Sequence, residues 1–383
     1  MTKCLNSCAR RAGVACLVAT VAFAVTLQPA NAQTEAVQGT TPDSTYTLHA
    51  YTDLLELPTL VLTPLHGNYV GLTNENFSLS IGQGPAFHPT NVRREGNDSI
   101  TLAILFDFTT DDNSMFTSFA KALFAKPLSK PTADLLSSHD YVSVYAYDCE
   151  LVRTTEDKPA TPDQLRESMD KVLTEGREKA RNGATQSCWS QKRLYDVVAR
   201  VAQDIGDSPG RRVILVVSDG SDRHSVNNNW STVARFAGSK SITVFGIRPA
   251  GKHTDIEVYD PFKAPGAHGW WTMTEADPFG MLCGSSGGLV LAVGKKTKEM
   301  SGQIQRVMTM LHNRYILEFP RPANGGPGLY SIKVTINDPK AIIRPSGVAF
   351  PPRERDPKLP EGTLPQDESK MPVVGSTRPD QPK

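Results

Sequence analysis

The stretch whose reading decides the fold is Ser99-Ile100-Thr101-Leu102-Ala103-Ile104-Leu105-Phe106-Asp107-Phe108-Thr109-Thr110-Asp111-Asp112-Asn113-Ser114-Met115. Residues 100–106 are apolar or β-branched without a polar break, the pattern of a strand buried on both faces, and they stop at an acidic, hydroxyl-rich turn. Such a strand delivers Asp107, Thr109 and Asp111 to the carboxyl edge of a parallel sheet. That is where α/β proteins bind ligands, and an oxygen-rich turn there suits a hard cation. The plainer alternative is a strand-to-helix loop in which Asp111, Asn113 or Ser114 caps the following helix.

A second run, Arg211-Arg212-Val213-Ile214-Leu215-Val216-Val217-Ser218-Asp219-Gly220, repeats the pattern and ends in another Asp, followed by a turn-forming Gly. Two strands then present carboxylates at one edge. Between them, Asn182-Gly183-Ala184-Thr185 precedes Leu194-Tyr195-Asp196-Val197-Val198 at the head of a helical run. In these residues the sequence resembles a von Willebrand factor A-type domain. The metal-ion-dependent adhesion site of that family combines an Asp-x-Ser-x-Ser turn after the first strand, a Thr in a later loop and an Asp after the fourth strand. The resemblance implies a divalent-cation site, for Mg²⁺ or Ca²⁺, made by Asp107, Thr109, Asp111, Thr185 and Asp219. Thr109 keeps the hydroxyl of the first Ser, whereas Asp111 puts a carboxylate in place of the second, which favours the looser geometry of Ca²⁺. The family's compact Gly-Thr-x-Leu-Tyr-Asp run is broken here. Residues 186–193 separate Thr185 from Leu194-Tyr195-Asp196, and an insertion of that length is expected to displace Thr185.

Taken from its start, the chain carries Lys3, Arg10 and Arg11, a 16-residue apolar run over 12–27, and Ala30-Asn31-Ala32. That is the order of a cleavable secretory signal over 1–32. The apolar run falls short of the roughly 20 residues that span a bilayer, so no transmembrane anchor is expected in the mature chain. Loss of the signal takes the formal charge from +1 to about −2, which removes any electrostatic case for nucleic acid. The mature chain keeps Cys149, Cys188 and Cys283, too widely spaced for a usual zinc site; one disulfide and one free thiol are expected, with the pairing open.

Residues 33–44 read as disordered and 45–98 as a β-rich segment, with strand patterns in 57–64 and 77–81. The run Gly67-Asn68-Tyr69-Val70-Gly71-Leu72-Thr73-Asn74-Glu75-Asn76-Phe77 resembles the segment preceding the A-type domain in a bacterial VWFA-related family best known from Acidobacteria. Residues 99–319 read as the A-type domain itself. A helix is expected over 116–128, a strand over 141–147, an antiparallel edge strand over 150–155, and a helix capped by Thr161 that runs to about 179. A helix over 194–205 and strands over 213–217 and 241–247 follow. Strands alternating with helices define an α/β fold, a doubly wound, mostly parallel sheet with helices on both faces.

Residues 248–282 form a long Pro-containing segment around Trp270-Trp271, either a recognition surface or an insertion that tucks into its own protein. Ser285-Ser286-Gly287-Gly288 resembles the family's Thr-Gly-Gly turn before its last helix, here expected over 296–313. Residues 320–352 read as closing β-strands that pair with 45–98, since each set alone is too small to bury a two-sided core. Residues 353–383, rich in proline and charge, read as a disordered tail.

The resemblance implies an exported, non-enzymatic binding module that captures an acidic residue of a protein partner through the open coordination position of its cation. The alternative is a structural envelope protein with a vestigial metal site, and a hydrolase is the remote one. No Gly-x-Ser-x-Gly elbow is present and no His accompanies the acidic turns.

Overall fold

Residues 100–106 stand at the centre of a six-stranded sheet because their two sets of alternating side chains both find helices to pack against. The computed structural model describes residues 53–63, 69–95, 98–109, 113–124, 136–249, 277–293, 297–311, 313–352, 369 and 371–375. In chain order the strands are β1 (Leu54–Leu62), β2 (Ser78–Ile81), β3 (Asn91–Arg94), β4 (Ile100–Asp107), β5 (Tyr141–Tyr147), β6 (Leu151–Pro159), β7 (Arg211–Val217), β8 (Ile242–Pro249), β9 (Val290–Val293), β10 (Arg314–Pro320), β11 (Gly328–Thr335), β12 (Ile342–Arg344) and β13 (Gly347–Phe350). The helices are α1 (Asn113–Leu123), α2 (Pro162–Lys171), α3 (Arg177–Arg181), α4 (Leu194–Ile205), α5 (Trp230–Ser239), α6 (Pro278–Ser285) and α7 (Thr297–Leu311).

The central sheet has the order β6-β5-β4-β7-β8-β9, parallel throughout except for the antiparallel edge strand β6. Leu102, Ile104 and Phe106 of β4 face a core shared with α1, α2 and α7, while Ala103 and Leu105 face a second core shared with α4, α5 and α6. From β4 the chain moves outward through α1 to β5 and β6, then returns to lay β7, β8 and β9 on the other side of β4. The order therefore reverses between β4 and β7. The helices that follow these two strands pack on opposite faces, so the carboxyl ends of β4 and β7 lie where the strand order reverses, the usual place for a ligand crevice in such sheets.

The flanking segments pair with each other. β1 runs antiparallel to β10, from Leu54 opposite Pro320 to Leu60 opposite Arg314, and takes β12 on its other edge. β11 pairs with β13 on one side and with β2 on the other. The four-stranded sheet β12-β1-β10-β3 and the three-stranded sheet β13-β11-β2 enclose a third core, built around Phe77, Leu79, Tyr315, Leu317, Phe319 and Tyr330. β10 thus belongs to this sandwich, and the α/β portion gives way to it after α7 and not at residue 319. Buried charge joins the two parts. Arg314 of β10 makes two bonds to Glu95 (Nε to Oε2 2.6 Å, Nη2 to Oε1 2.9 Å) and donates to Thr243 Oγ1 of β8, and Arg211 of β7 lies 3.7 Å from the same carboxylate.

Other differences are local. α1 covers Asn113–Leu123 where a helix over 116–128 was expected. The helix from Thr161 runs on to Arg181 through a π turn at Val172–Gly176, and Asn182 stops it in the left-handed conformation (φ 50°). α5, α6, β3 and β9 have no counterpart in the sequence reading. The signal over 1–32, residues 33–44 and most of 248–282, Trp270 and Trp271 included, lie outside the described residues. The disordered tail expected over 353–383 is corrected at its described end, where Val374 is buried against Ile81.

Candidate acidic site at the sheet edge

Each of the strands β4, β5 and β7 ends in or is followed by an Asp at the carboxyl edge of the sheet: Asp107, Asp148 and Asp219. Asp107 ends β4 and is fully buried. Its Oδ1 accepts bonds from the Thr109 N–H (3.2 Å) and the Thr109 hydroxyl (2.5 Å), a closed Asx turn that fixes the carboxylate. Its Oδ2 accepts from the Ser218 hydroxyl at 2.5 Å. Asp219 follows β7, and its Oδ1 accepts from the Ser221 N–H (2.8 Å) and hydroxyl (2.7 Å). The turn needs Gly220, which sits at φ 81° with the Phe279 ring of α6 so close that a Cβ would lie 2.7 Å from it.

Between these two carboxylates stands a cation of the chain's own. The Lys192 ammonium lies 2.6 Å from Asp107 Oδ2 and 2.5 Å from Asp219 Oδ1, with Ser218 Oγ at 3.5 Å, and its side chain is wholly buried. The three N–H donors of an ammonium are thereby accounted for. Burial works to raise the Asp219 pKa, but the charge and hydrogen bond of Lys192, with the bonds from Ser221, outweigh it and hold the carboxyl below its usual value.

The loop that brings Lys192 here is pinned on every side. Cys188 is disulfide-bonded to Cys149, and its N–H donates to Asp148 Oδ1 at 2.8 Å. The Lys192 carbonyl accepts from the N–H groups of Arg223 (3.0 Å) and His224 (2.8 Å). The Arg193 N–H donates to the Tyr147 oxygen at 2.8 Å; burial pushes the Tyr147 hydroxyl up to about 12 in spite of that bond. Arg223 stacks its guanidinium 3.7 Å above the Trp189 ring. Asp222 and Ser225 then receive the N–H groups of Tyr195 and Asp196, capping α4 from a neighbouring loop.

Of the five residues expected to hold a metal, Asp107, Thr109 and Asp219 come together. Thr185 is exposed on the loop after α3, and Asp111 lies outside the described residues. Ser187, and not Thr185, turns to the site, its hydroxyl donating to the Thr109 carbonyl at 3.2 Å. The arrangement does not fit a divalent ion, because an ammonium already bridges the two carboxylates that would carry most of the ligand charge. Asp148, Cys149 and Cys188 also converge, but both sulfurs are spent in the disulfide and Asp148 pairs with Arg181 at 3.1 Å. Lys192, Ser187, Ser218 and Ser221 went unread as site residues. The legible signal was a lysine within residues 186–193, between Thr185 and Leu194-Tyr195-Asp196.

No protein-family model matches the chain, and no curated protein matches it. Among solved structures, it is similar to proximal thread matrix protein 1 of the mussel byssus with a zinc-occupied MIDAS motif, at 10% identity and TM-score 0.37 over 60% of this chain and 50% of that one. It is similar to BatB of Bacteroides thetaiotaomicron (10% identity, TM-score 0.34, 56% of this chain and 99% of that one). It is similar also to the PilB minor pilin of Streptococcus sanguinis (9% identity, TM-score 0.34, 58% and 63%). The chain spans about half the length of the mussel protein. Likenesses of this extent carry no argument about the site, which rests on the geometry above.

Proposed function

We propose that the chain is an exported, non-enzymatic binding module of von Willebrand factor A type whose acidic edge is served by its own lysine in place of a divalent cation. The observation that carries this reading is the Lys192 ammonium, 2.6 Å from Asp107 and 2.5 Å from Asp219. A bound metal would keep an open position for a partner's carboxylate, whereas Lys192 spends its donors on Asp107, Asp219 and Ser218 and has no exposed surface. Capture of an acidic partner through Mg²⁺ or Ca²⁺ would require Lys192 to leave. Partner contact falls instead to the rim, where Trp189 (44% exposed) and Val226 (76% exposed) stand on the pinned loops.

Two further observations support the reading. The Cys149–Cys188 disulfide suits an oxidising compartment, in keeping with the signal read in 1–32. Ser218 is buried and donates to Asp107, and a lysine engaged by two carboxylates is no base for it, so the polar cluster lacks a nucleophile and base that work together.

The test is a thermal melt of the mature protein with and without Mg²⁺, Mn²⁺ or Ca²⁺. A ligand bound at a hundred times its Kd stabilises the native state by about 2.7 kcal/mol, which a melt resolves easily. The expected result is an unmoved Tm with all three ions. A saturable rise with any of them would overturn the lysine-served site and return the metal-capture mechanism.

A further inference from the structure

Val374, twenty-four residues beyond the end of β13, is bound more closely than a loose tail would be. It forms a parallel bridge with Ile81, the last residue of β2, and the Gly375 N–H donates to the Ile81 carbonyl at 2.9 Å. Asn324 reads both backbone polar groups of one residue: its Nδ2 donates to the Val374 carbonyl and its Oδ1 accepts the Val374 N–H, each at 3.0 Å. The Val374 side chain is 9% exposed and completes the core between the two small sheets, whereas Val373 is 49% exposed. The approach leaves no room on either side. A Cβ on Gly84 would lie 2.1 Å from the Val373 carbonyl oxygen, and one on Gly375 would lie 2.3 Å from the nitrogens of Gln83 and Gly84.

These features make a recognition site. A side-chain amide reads the backbone of one residue, a pocket accepts a valine-sized side chain, and the next position admits only glycine. β2 is the edge strand of its sheet, and adding an extended peptide to such an edge is an established way of building a complex.

We propose that the Ile81–Gly84 edge with Asn324 is a docking site for an extended Val-Gly peptide, and that its occupant in assemblies is the 371–375 segment of a second copy of this chain. Eighteen residues, 353–370, connect Pro352 to Met371 and could span about 60 Å when extended, against a radius of gyration of about 20 Å for a unit of this size. Docking in the same chain and docking in a neighbour make identical contacts, so chain concentration against the effective concentration set by the connector decides between them. Reciprocal exchange closes a two-fold dimer, and one-way exchange builds an open string. The acidic edge and its lysine take no part.

The test pairs two full-length variants, each unable to fill its own groove: Val374→Asp, with an intact edge, and Gly84→Ala with Asn324→Ala, with an intact tail. Each alone should be monomeric by light scattering and native mass spectrometry, and the mixture should form a one-to-one heterodimer that a free peptide of residues 370–378 dissolves. The same peptide should bind Val374→Asp at least about tenfold more tightly than the wild type, whose groove is filled from within. A mixture that stays monomeric at about 0.1 mM, with both variants melting cooperatively, overturns the second-copy occupant. Should the groove variant fail to fold, the peptide titration of Val374→Asp decides alone: absence of saturable binding overturns the docking site itself.

Discussion

Replacing Lys192 by Met puts an unbranched apolar thioether in place of most of the stem and removes the ammonium, so its consequences are chiefly electrostatic. Breaking a buried ion pair by removing one partner costs about 3–5 kcal/mol, because a charge is left buried and unanswered. Here the cost falls unevenly. Asp219 is 31% exposed at its side chain and keeps two bonds from Ser221, so water and Ser221 absorb part of its loss. Asp107 is fully buried but keeps the donors of Thr109 and Ser218. Those retained bonds place the expected loss near the lower end, about 3 kcal/mol. At roughly 2 °C per kcal/mol for a chain of this size, Tm should fall by about 6 °C. The variant also vacates the point between two carboxylates, so millimolar Mg²⁺, Mn²⁺ or Ca²⁺ should restore part of the loss in Lys192→Met while leaving the wild type unchanged. Asp107→Asn added to Lys192→Met should cost less than the two single changes summed, since the second removes the charge that the first leaves unpaired. Urea melts of the four proteins close this cycle. A Lys192→Met penalty under about 0.5 kcal/mol, the size of an ordinary surface substitution, would refute the reasoning.

The remaining predictions concern the same edge and its supports. Because the native pKa of Asp219 lies below its unfolded value, the ionised carboxylate stabilises the fold above about pH 4 and that contribution fades as pH falls through the native value; the Lys192→Met penalty should therefore narrow between pH 7 and pH 3 in urea melts. Replacing Cys149 and Cys188 by Ser opens a loop with a sequence separation of 39, worth up to about 4 kcal/mol in chain entropy, and should release the Lys192 loop, read as faster amide exchange at Arg193, Arg223 and His224. Glu95→Gln leaves Arg314 and Arg211 facing each other across the join of sandwich and sheet, and should destabilise by about 3–5 kcal/mol; a loss below 1 kcal/mol would show that the join does not depend on this carboxylate. Cys283 is fully buried, which pushes its thiol up, so alkylating reagents should leave it untouched until the chain unfolds.

How much of this could be read in the sequence depended on whether a residue's role was local. β4, β5, β7 and α4 were legible because unbroken apolar runs and helical spacing are properties of a short window. The Thr161 cap was legible for the same reason. α5 was passed over because its N-cap, Asn229, ends a polar stretch, Asn227-Asn228-Asn229, that reads as loop. β9 was missed because four residues following two glycines give little period to recognise. The tail misled in another way. Proline and charge over 353–383 led to an expectation of disorder, but the docking of Val374 depends on Asn324, fifty residues upstream, and on Gly84, which no window around Val374 contains. Asp107 and Asp219 were found at their strand ends because strand ends are local. What neutralises them was hidden, since Lys192 acts across 85 residues from one partner and 27 from the other.

The strand-end acids share one physical logic. Carboxylates placed at the carboxyl edge of a sheet lose hydration, and a fold can tolerate that only by providing cations or N–H donors. A metal-binding edge leaves the account open until an ion arrives. Here Asp107 and Asp219 share Lys192, and Asp148 takes Arg181 with the Cys188 N–H. Asp222 and Asp196 receive backbone N–H groups from each other's loops, those of Tyr195 on one side and of Val226 and Asn227 on the other. The segment 186–193 between Thr185 and Leu194 therefore does more than connect α3 to α4. It carries the cysteine that anchors the loop and the lysine that fills the site, four residues apart. Pulling out the anchor alone, in Cys149→Ser with Cys188→Ser, should therefore make the edge responsive to divalent ions even with Lys192 in place, though less so than Lys192→Met does.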